Sequence, residues 1–284
     1  YGELMNLKKY LHKKEKSDKL ILNDSDLDKE LIDISLFVKV GIIVLTLLLI
    51  VGLGVRFLPE AITVSSTSSK RDLPIYSVAT KDKKVALSFD AAWGNDDTHT
   101  ILDILQKHNV KVTFFMTGEW VGHYPDDVKA IAAAGHDLGN HGENHKHMSK
   151  LDKAKQSEEI MKVHKRVKDL TGIEMFLFRP PYGDYDNSVI ATARECNYFT
   201  IQWDVDSLDW KDYGADSIVK KCTTHKNLDN GSIILMHNGA KYTPEALERV
   251  ITGLKEQGYE LVPISELIYK DEYTIDHTGK QHKK

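Results

Sequence analysis

Residues 84–116 read KVALSFDAAWGNDDTHTILDILQKHNVKVTFFM. This stretch decides the fold. Val85 to Phe89 predicts a strand, Thr98 to Lys107 a helix, and Val110 to Met116 a second strand. The same alternation continues to the end of the chain. Helices are expected over 125–134, 152–170, 188–195, 215–224 and 244–256, with a short closing segment at 265–269. Strands are expected over 136–140, 175–178, 198–203, 232–236 and 259–262. Seven βα units imply an α/β fold with a parallel sheet covered by helices. No Gly-rich phosphate loop follows the first strand, which argues against a nucleotide-binding sheet.

Upstream of this region the composition changes. Val40 to Val55 carries no charge, and Lys39 and Arg56 flank it. With its apolar neighbours the stretch is long enough to cross a bilayer core of about 20 residues, so one transmembrane helix is expected over 36–58. A cleaved signal peptide is the alternative, but no small-residue cleavage site stands out near Pro59. Residues 1–39 hold eight lysines, whereas residues 56–80 hold only Arg56, Lys70 and Arg71. That bias predicts a single-pass cell-membrane protein with residues 1–35 cytoplasmic and the C-terminal bulk outside. Residues 59–80, with Pro59, a Ser/Thr run at 65–69 and Pro74, read as an extracytoplasmic stalk. A catalytic-type domain is expected over 81–272 and a polar tail over 273–284.

The chain has 284 residues, 38 Lys+Arg against 42 Asp+Glu, and a net charge of -4. Such a balance excludes a protein built to coat nucleic acid. Two cysteines, Cys196 and Cys222, cannot build a disulfide scaffold and are expected as free thiols. The mean hydropathy of -0.37 averages an apolar span with a polar remainder. No protein partner is deducible.

Chemistry-bearing residues cluster where the expected strands stop. Asp90 follows the first strand, His141 and His145 the third, and Arg179 the fourth. Asp204, Asp206 and Asp209 follow the fifth, and His237 the sixth. In a parallel barrel these ends share one face, where active sites sit. If residues 141–145 are helical, the two imidazoles share one side and can chelate one metal. Each residue also has a plainer reading. The histidines could be solvated loop residues, Asp90 a turn cap, Asp206 and Asp209 turn residues, and His237 a satisfied core histidine. Their joint occurrence at strand ends is what those readings leave unexplained.

In order, Ser88-Phe89-Asp90, His141-x3-His145, Arg179-Pro180-Pro181-Tyr182, Asp206-x2-Asp209-Trp210 and Leu235-Met236-His237 resemble the polysaccharide deacetylases of the NodB-homology type, carbohydrate esterase family 4. The likeness covers about residues 83–270. Asp90-Ala-Ala-Trp-Gly94 is most similar to the sporulation-associated peptidoglycan deacetylase branch of the PdaA/PdaB kind. The resemblance implies a deformed (β/α)7 barrel and metal-assisted removal of N-acetyl groups from a cell-wall glycan. It makes Asp90 the general base, His237 the general acid and Arg179 the residue that orients Asp90. His141 and His145 become ligands of a divalent metal such as zinc. The N–H of Tyr182 serves the oxyanion, Trp210 and Leu235 line the substrate pocket, and Asp206 or Asp209 holds Arg179 or His237. Two departures stand out. Ala91 replaces a metal-ligating aspartate, leaving Asp96 or Asp97 as stand-ins, and Gly142 replaces Ser or Thr. The first departure supports a rival reading as a non-catalytic glycan-binding module on the same fold.

Overall fold

The computed structural model describes residues 8–13, 38–46 and 71–284. The chain divides into two units, Tyr1–Lys70 and Arg71–Lys284. In the first, residues 8–13 and 38–46 are helical, and the apolar side chains of Val38, Val40 and Ile42 to Leu45 are exposed. Among the described residues no helix is long and apolar enough to cross a membrane. The rest of the expected cytoplasmic tail and transmembrane helix, and the expected stalk as far as residue 70, lie outside the described residues.

The second unit begins with β1 (Ser77–Val78) and β2 (Lys84–Ala91). It continues through α1 (Thr98–Lys107), β3 (Thr113–Met116), α2 (Gly118–His123), α3 (Pro125–Ala133) and β4 (Asp137–Asn140). Then come α4 (Lys153–Thr171), β5 (Leu177–Phe178), α5 (Asn187–Glu195), β6 (Phe199–Thr200) and β7 (Val205–Asp206). The last third holds α6 (Ala215–Thr224), β8 (Ile233–His237), α7 (Thr243–Glu256), β9 (Glu260–Leu261) and α8 (Ile264–Leu267). A hairpin of β10 (Tyr273–Ile275) and β11 (Lys280–Lys283) closes the chain.

Seven strands form a parallel sheet in the order β6-β5-β4-β3-β2-β8-β7, and β9 pairs with the start of β2. The period-2 geometry of a strand sorts the side chains. Val85, Leu87, Phe89 and Ala91 of β2 join Phe114, Met116, Ile234 and Met236 in the main core cluster. Amphipathic helices supply the other half of that cluster. On α7, Ala246, Leu247, Val250, Ile251 and Leu254 form one buried stripe. The opposite face of the sheet carries Ala86, Phe115 and Ile233 of a second cluster, and above them Ser88, Asp90 and His237. Register fixes the neighbours: Asp90 lies beside Phe115 on one side and His237 on the other, and Asp206 lies beside Leu235. This curled parallel sheet with its helices agrees with the deformed barrel that the resemblance implies.

Three expectations need correction. The strand expected over 198–203 shrinks to β6, and a second short strand, β7, follows it at Val205–Asp206; the two do not pair with each other. Residues 75–78 straddle the seam instead. Ile75 bonds to Thr200 and Gln202, and Val78 donates to the Gly231 carbonyl. That last approach requires glycine: Gly231 has φ +84°, and a Cβ there would stand 1.8 Å from the Val78 oxygen. Consequently residues 71–80, read as the end of a stalk, belong to the compact unit. Residues 273–284 are likewise no tail, because β11 pairs with β1 and with β10. Gln281 is fully buried there, exchanging bonds with the Tyr269 N–H and carbonyl.

Candidate active site

A cleft of about 380 Å³ opens at the carboxyl ends of the parallel strands. Eight residues anticipated from sequence line it: Asp90, His141, His145, Tyr182, Asp206, Trp210, Leu235 and His237. The other two, Arg179 and Asp209, are fully buried behind it and grip two of the lining residues.

Arg179 continues from β5 and points across the interior of the sheet. Its Nη1 donates to Asp90 Oδ1 at 2.7 Å. Its Nη2 donates to Ser88 Oγ at 2.8 Å and to the Gln202 carbonyl at 3.3 Å. The guanidinium also lies 4.1 Å over the Phe115 ring. Burial by itself pushes the Asp90 carboxyl up. The nearby charges of Arg179, His141 and His237 outweigh it and hold Asp90 below the usual carboxylate range.

His237 ends β8. Its Nδ1 donates to Asp209 Oδ1 at 2.7 Å, and its backbone N–H donates to Asp209 Oδ2 at the same distance. Asp209 also accepts from Thr243 Oγ1 and from the Trp210 N–H. Burial works to lower the imidazole, but the hydrogen bond and charge of Asp209, with Asp90 and Asp206, leave it raised above 6.5. The alternative left open between the two aspartates is thereby resolved in space. Asp209 holds His237, whereas Asp206 Oδ1 caps the following turn by accepting from Leu208 N–H.

His141 and His145 do come together, with ring centroids 5.0 Å apart. They are not on a helix. Residues 141–147 are irregular, and positive φ at Gly142 (+75°) and His145 (+50°) folds the loop back. Gly142 is therefore explained by its left-handed backbone, where Ser or Thr would be strained. His141 Nδ1 donates to the Arg179 carbonyl at 2.7 Å, leaving Nε2 3.5 Å from Asp90 Oδ2. Burial lowers both imidazoles, His145 to about 4.

These residues do not make up the metal site that the resemblance implies. Ala91 has no donor atom, and its side chain is buried in the main core cluster. Asp97 is not a stand-in, because its carboxylate accepts from the Asn238 side chain and the Gly239 N–H. Among the described residues no three His, Cys, Asp or Glu side chains assemble into a cation-holding group.

Tyr182 occupies a turn with φ +61° after Pro180-Pro181, a strained position of the kind found at functional sites. Its N–H takes part in neither backbone bond of that turn, which run from Gly183 to Pro180 and from Asp184 to Pro181. Sequence reasoning gave no role to Ser88 and Trp93, which stood only inside the motifs of the resemblance, and it missed Trp203. Ser88 was legible as the same-face neighbour of Asp90, two residues away. The two tryptophans follow strand ends, and no spacing assigns either of them to the cleft.

The fold and the facing groups define a class, a β/α-barrel protein with a carboxylate and an imidazole opposed in a cleft at its strand ends. The polysaccharide deacetylase family model matches residues 77–201. A peptidoglycan-N-acetylglucosamine deacetylase of Bacillus cereus is 36% identical over 68% of this chain and 92% of its own length. The chain belongs to the polysaccharide deacetylase family, carbohydrate esterase family 4. Peptidoglycan-N-acetylglucosamine deacetylase PgdA of Listeria monocytogenes is 37% identical over 80% of this chain. The chain spans 45% of that relative's length, about half. The crystal structure of BA3943, a family pseudoenzyme from Bacillus anthracis, superposes with a TM-score of 0.66 at 35% identity. That match covers 74% of this chain and 73% of the other.

Proposed function

We propose that this chain removes N-acetyl groups from cell-wall peptidoglycan and is held at the membrane by residues 36–58, with the 71–284 unit outside. The observation that carries the activity is the opposition of Asp90 and His237. They are register neighbours on β2 and β8, and their surroundings push their proton affinities apart. Such a divergence assigns base and acid. Asp90, ionised, takes a proton from a water whose oxygen attacks the acetamide carbonyl carbon. The carbonyl oxygen gains negative charge and meets the Tyr182 N–H. His237 gives its proton to the nitrogen as the C–N bond breaks, leaving acetate and a free amine. Trp210 and Leu235 wall the cleft in which the acetyl group is turned.

A second reading is favoured by Ala91: a glycan-binding module without turnover. One experiment separates the two. Full-length chain in detergent is incubated with peptidoglycan and with chitotetraose, with and without added zinc, and acetate is measured beside calorimetric binding. Acetate release abolished by Asp90→Asn and by His237→Gln supports the hydrolase. Binding without acetate supports the module. Neither binding nor release overturns both. Zinc-dependent release would return a metal to the mechanism despite Ala91. Membrane anchoring is tested by fractionation: a chain lacking residues 36–58 should leave the membrane pellet.

A further inference from the structure

The loop joining β2 to α1 carries Ala92-Trp93-Gly94-Asn95-Asp96-Asp97, directly after Ala91, the residue that departs from the family pattern. In this structure it is turned toward the residue at the end of β8. The Trp93 indole stacks on the His237 imidazole, with centroids 5.2 Å apart and planes 19° apart. Asp97 anchors the backbone just beyond, both carboxylate oxygens accepting from the Gly239 N–H at 2.9 and 2.8 Å. Gly239 in turn packs on Trp93, so that a Cβ there would lie 3.4 Å from the Trp93 Cβ. Asp209 fixes one edge of the imidazole, and the indole covers a face. Trp93 nonetheless keeps 48% of its surface exposed and lines the cleft. A large indole left half in water at this point calls for a role beyond core packing.

We propose that Trp93 is a positioning residue for His237, fixing the plane of its ring in the cleft and favouring its cationic form through the indole face. The role in turnover rests on the reading of His237 as proton donor. Four elements present ionisable groups to His237. These are Asp90 on β2, Asp206 at the end of β7, Asp209 in the turn after it, and His141 with His145 in the loop after β4. The three carboxylates favour the imidazolium, and the two other imidazoles oppose it when charged. Trp93 adds a neutral π face, whose attraction for a cation survives where a further carboxylate would be repelled by Asp90 and Asp206. Its contribution is smaller than that of Asp209 and is expected to change the protonation constant of His237 about threefold to tenfold.

The test uses the full-length chain with isotope-labelled histidine in detergent micelles. The His237 resonance is assigned by its loss in His237→Gln, and its titration is followed in wild type, Trp93→Phe and Trp93→Leu. Both substitutions keep an apolar side chain of moderate size, and only the first keeps an aromatic face. Trp93→Leu should make His237 about threefold to tenfold easier to deprotonate, and Trp93→Phe should restore most of that difference. With chitotetraose, the basic limb of the rate profile should move in the same direction in Trp93→Leu, with kcat falling more than KM changes. Equal titration in wild type and Trp93→Leu would overturn the proposal, as would equal displacement in the Leu and Phe variants. The titration needs no turnover. If the wild type releases no acetate, the hydrolase reading fails while the role of Trp93 at His237 is still decided.

Discussion

Asp209→Asn is a near-isosteric change at a fully buried carboxylate. Asp209 accepts four hydrogen bonds, Oδ1 from His237 Nδ1 and Trp210 N–H, Oδ2 from His237 N–H and Thr243 Oγ1. An amide has only one acceptor oxygen. If that oxygen keeps the Oδ1 position, the new NH2 confronts the His237 N–H at 2.7 Å, while Thr243 can turn its hydroxyl to accept. One buried donor is orphaned, costing about 1–3 kcal/mol, and the bond to Nδ1 loses its charge assistance, about 1 kcal/mol more. The expected loss is about 2–4 kcal/mol. It should also depend on pH. The folded-state pKa of His237 is raised above its ordinary 6.5, so its contribution is fully present below about pH 6.5 and is lost as pH rises through the folded value. In Asp209→Asn burial dominates, the folded value falls, and stability is lost as pH drops instead. All four tryptophans, Trp93, Trp120, Trp203 and Trp210, lie in the 71–284 unit, so their fluorescence reports its unfolding alone. Urea titrations at about pH 6 and pH 9 should show the larger loss at pH 6. A loss below about 1 kcal/mol, or the same loss at both pH values, would refute the account of Asp209.

Other outcomes follow from the same geometry. Arg179→Leu leaves the Asp90 carboxylate buried without its cation and should cost about 3–5 kcal/mol, read as a lower urea midpoint. Gly231→Ala forces a Cβ against the Val78 oxygen at φ +84° and should cost more than about 1 kcal/mol, with faster amide exchange in β1. Acetate release should follow a bell in pH. Its acid limb should lie below the ordinary carboxylate value of 3.8, set by Asp90, and its basic limb above 6.5, set by His237. Limbs in the reverse relation to those values would reject the pairing of roles. Cys196, partly exposed, should react with Ellman's reagent in the native chain, whereas Cys222, buried and with its thiol pushed up by that burial, should react only in denaturant.

The alternation of elements was legible because β2, β3 and β8 are long enough to show themselves as apolar runs. Their ends then point to Asp90 and His237 directly. β7 was hidden because two residues, Val205 and Asp206, carry no period, and only the pairing to Ile234 and Leu235 defines it. The hairpin at the C-terminus reads as polar, Lys280-Gln-His-Lys283, because it is a surface strand whose single buried side chain is an amide. The histidine pair was found by the right spacing for the wrong reason: a left-handed loop, not a helix, brings the rings together. The choice between Asp206 and Asp209 depends on which carboxylate a turn consumes, and hydrogen bonding within the turn decides it. The contact of Trp93 was unreadable although its motif was noticed, since a tryptophan after a strand end looks the same whether it meets solvent or an imidazole.

The seam between β6 and β7 has a mechanical consequence. The chain enters the unit at Arg71, where the Arg71 guanidinium donates to the Tyr185 hydroxyl and the Asp72 N–H to Asn187 Oδ1 at the start of α5. Its first backbone-to-backbone bonds are those of Ile75 with Thr200 and Gln202. Trp203, a wall of the cleft, is the next residue. Tension on the polypeptide ahead of residue 71 therefore loads the side-chain bonds at the start of α5 and then the rim of the cleft, before it reaches the long central strands. A pull on the leading segment reaches the cleft wall through Ile75 and Gln202 before it reaches β2, β3 or β8.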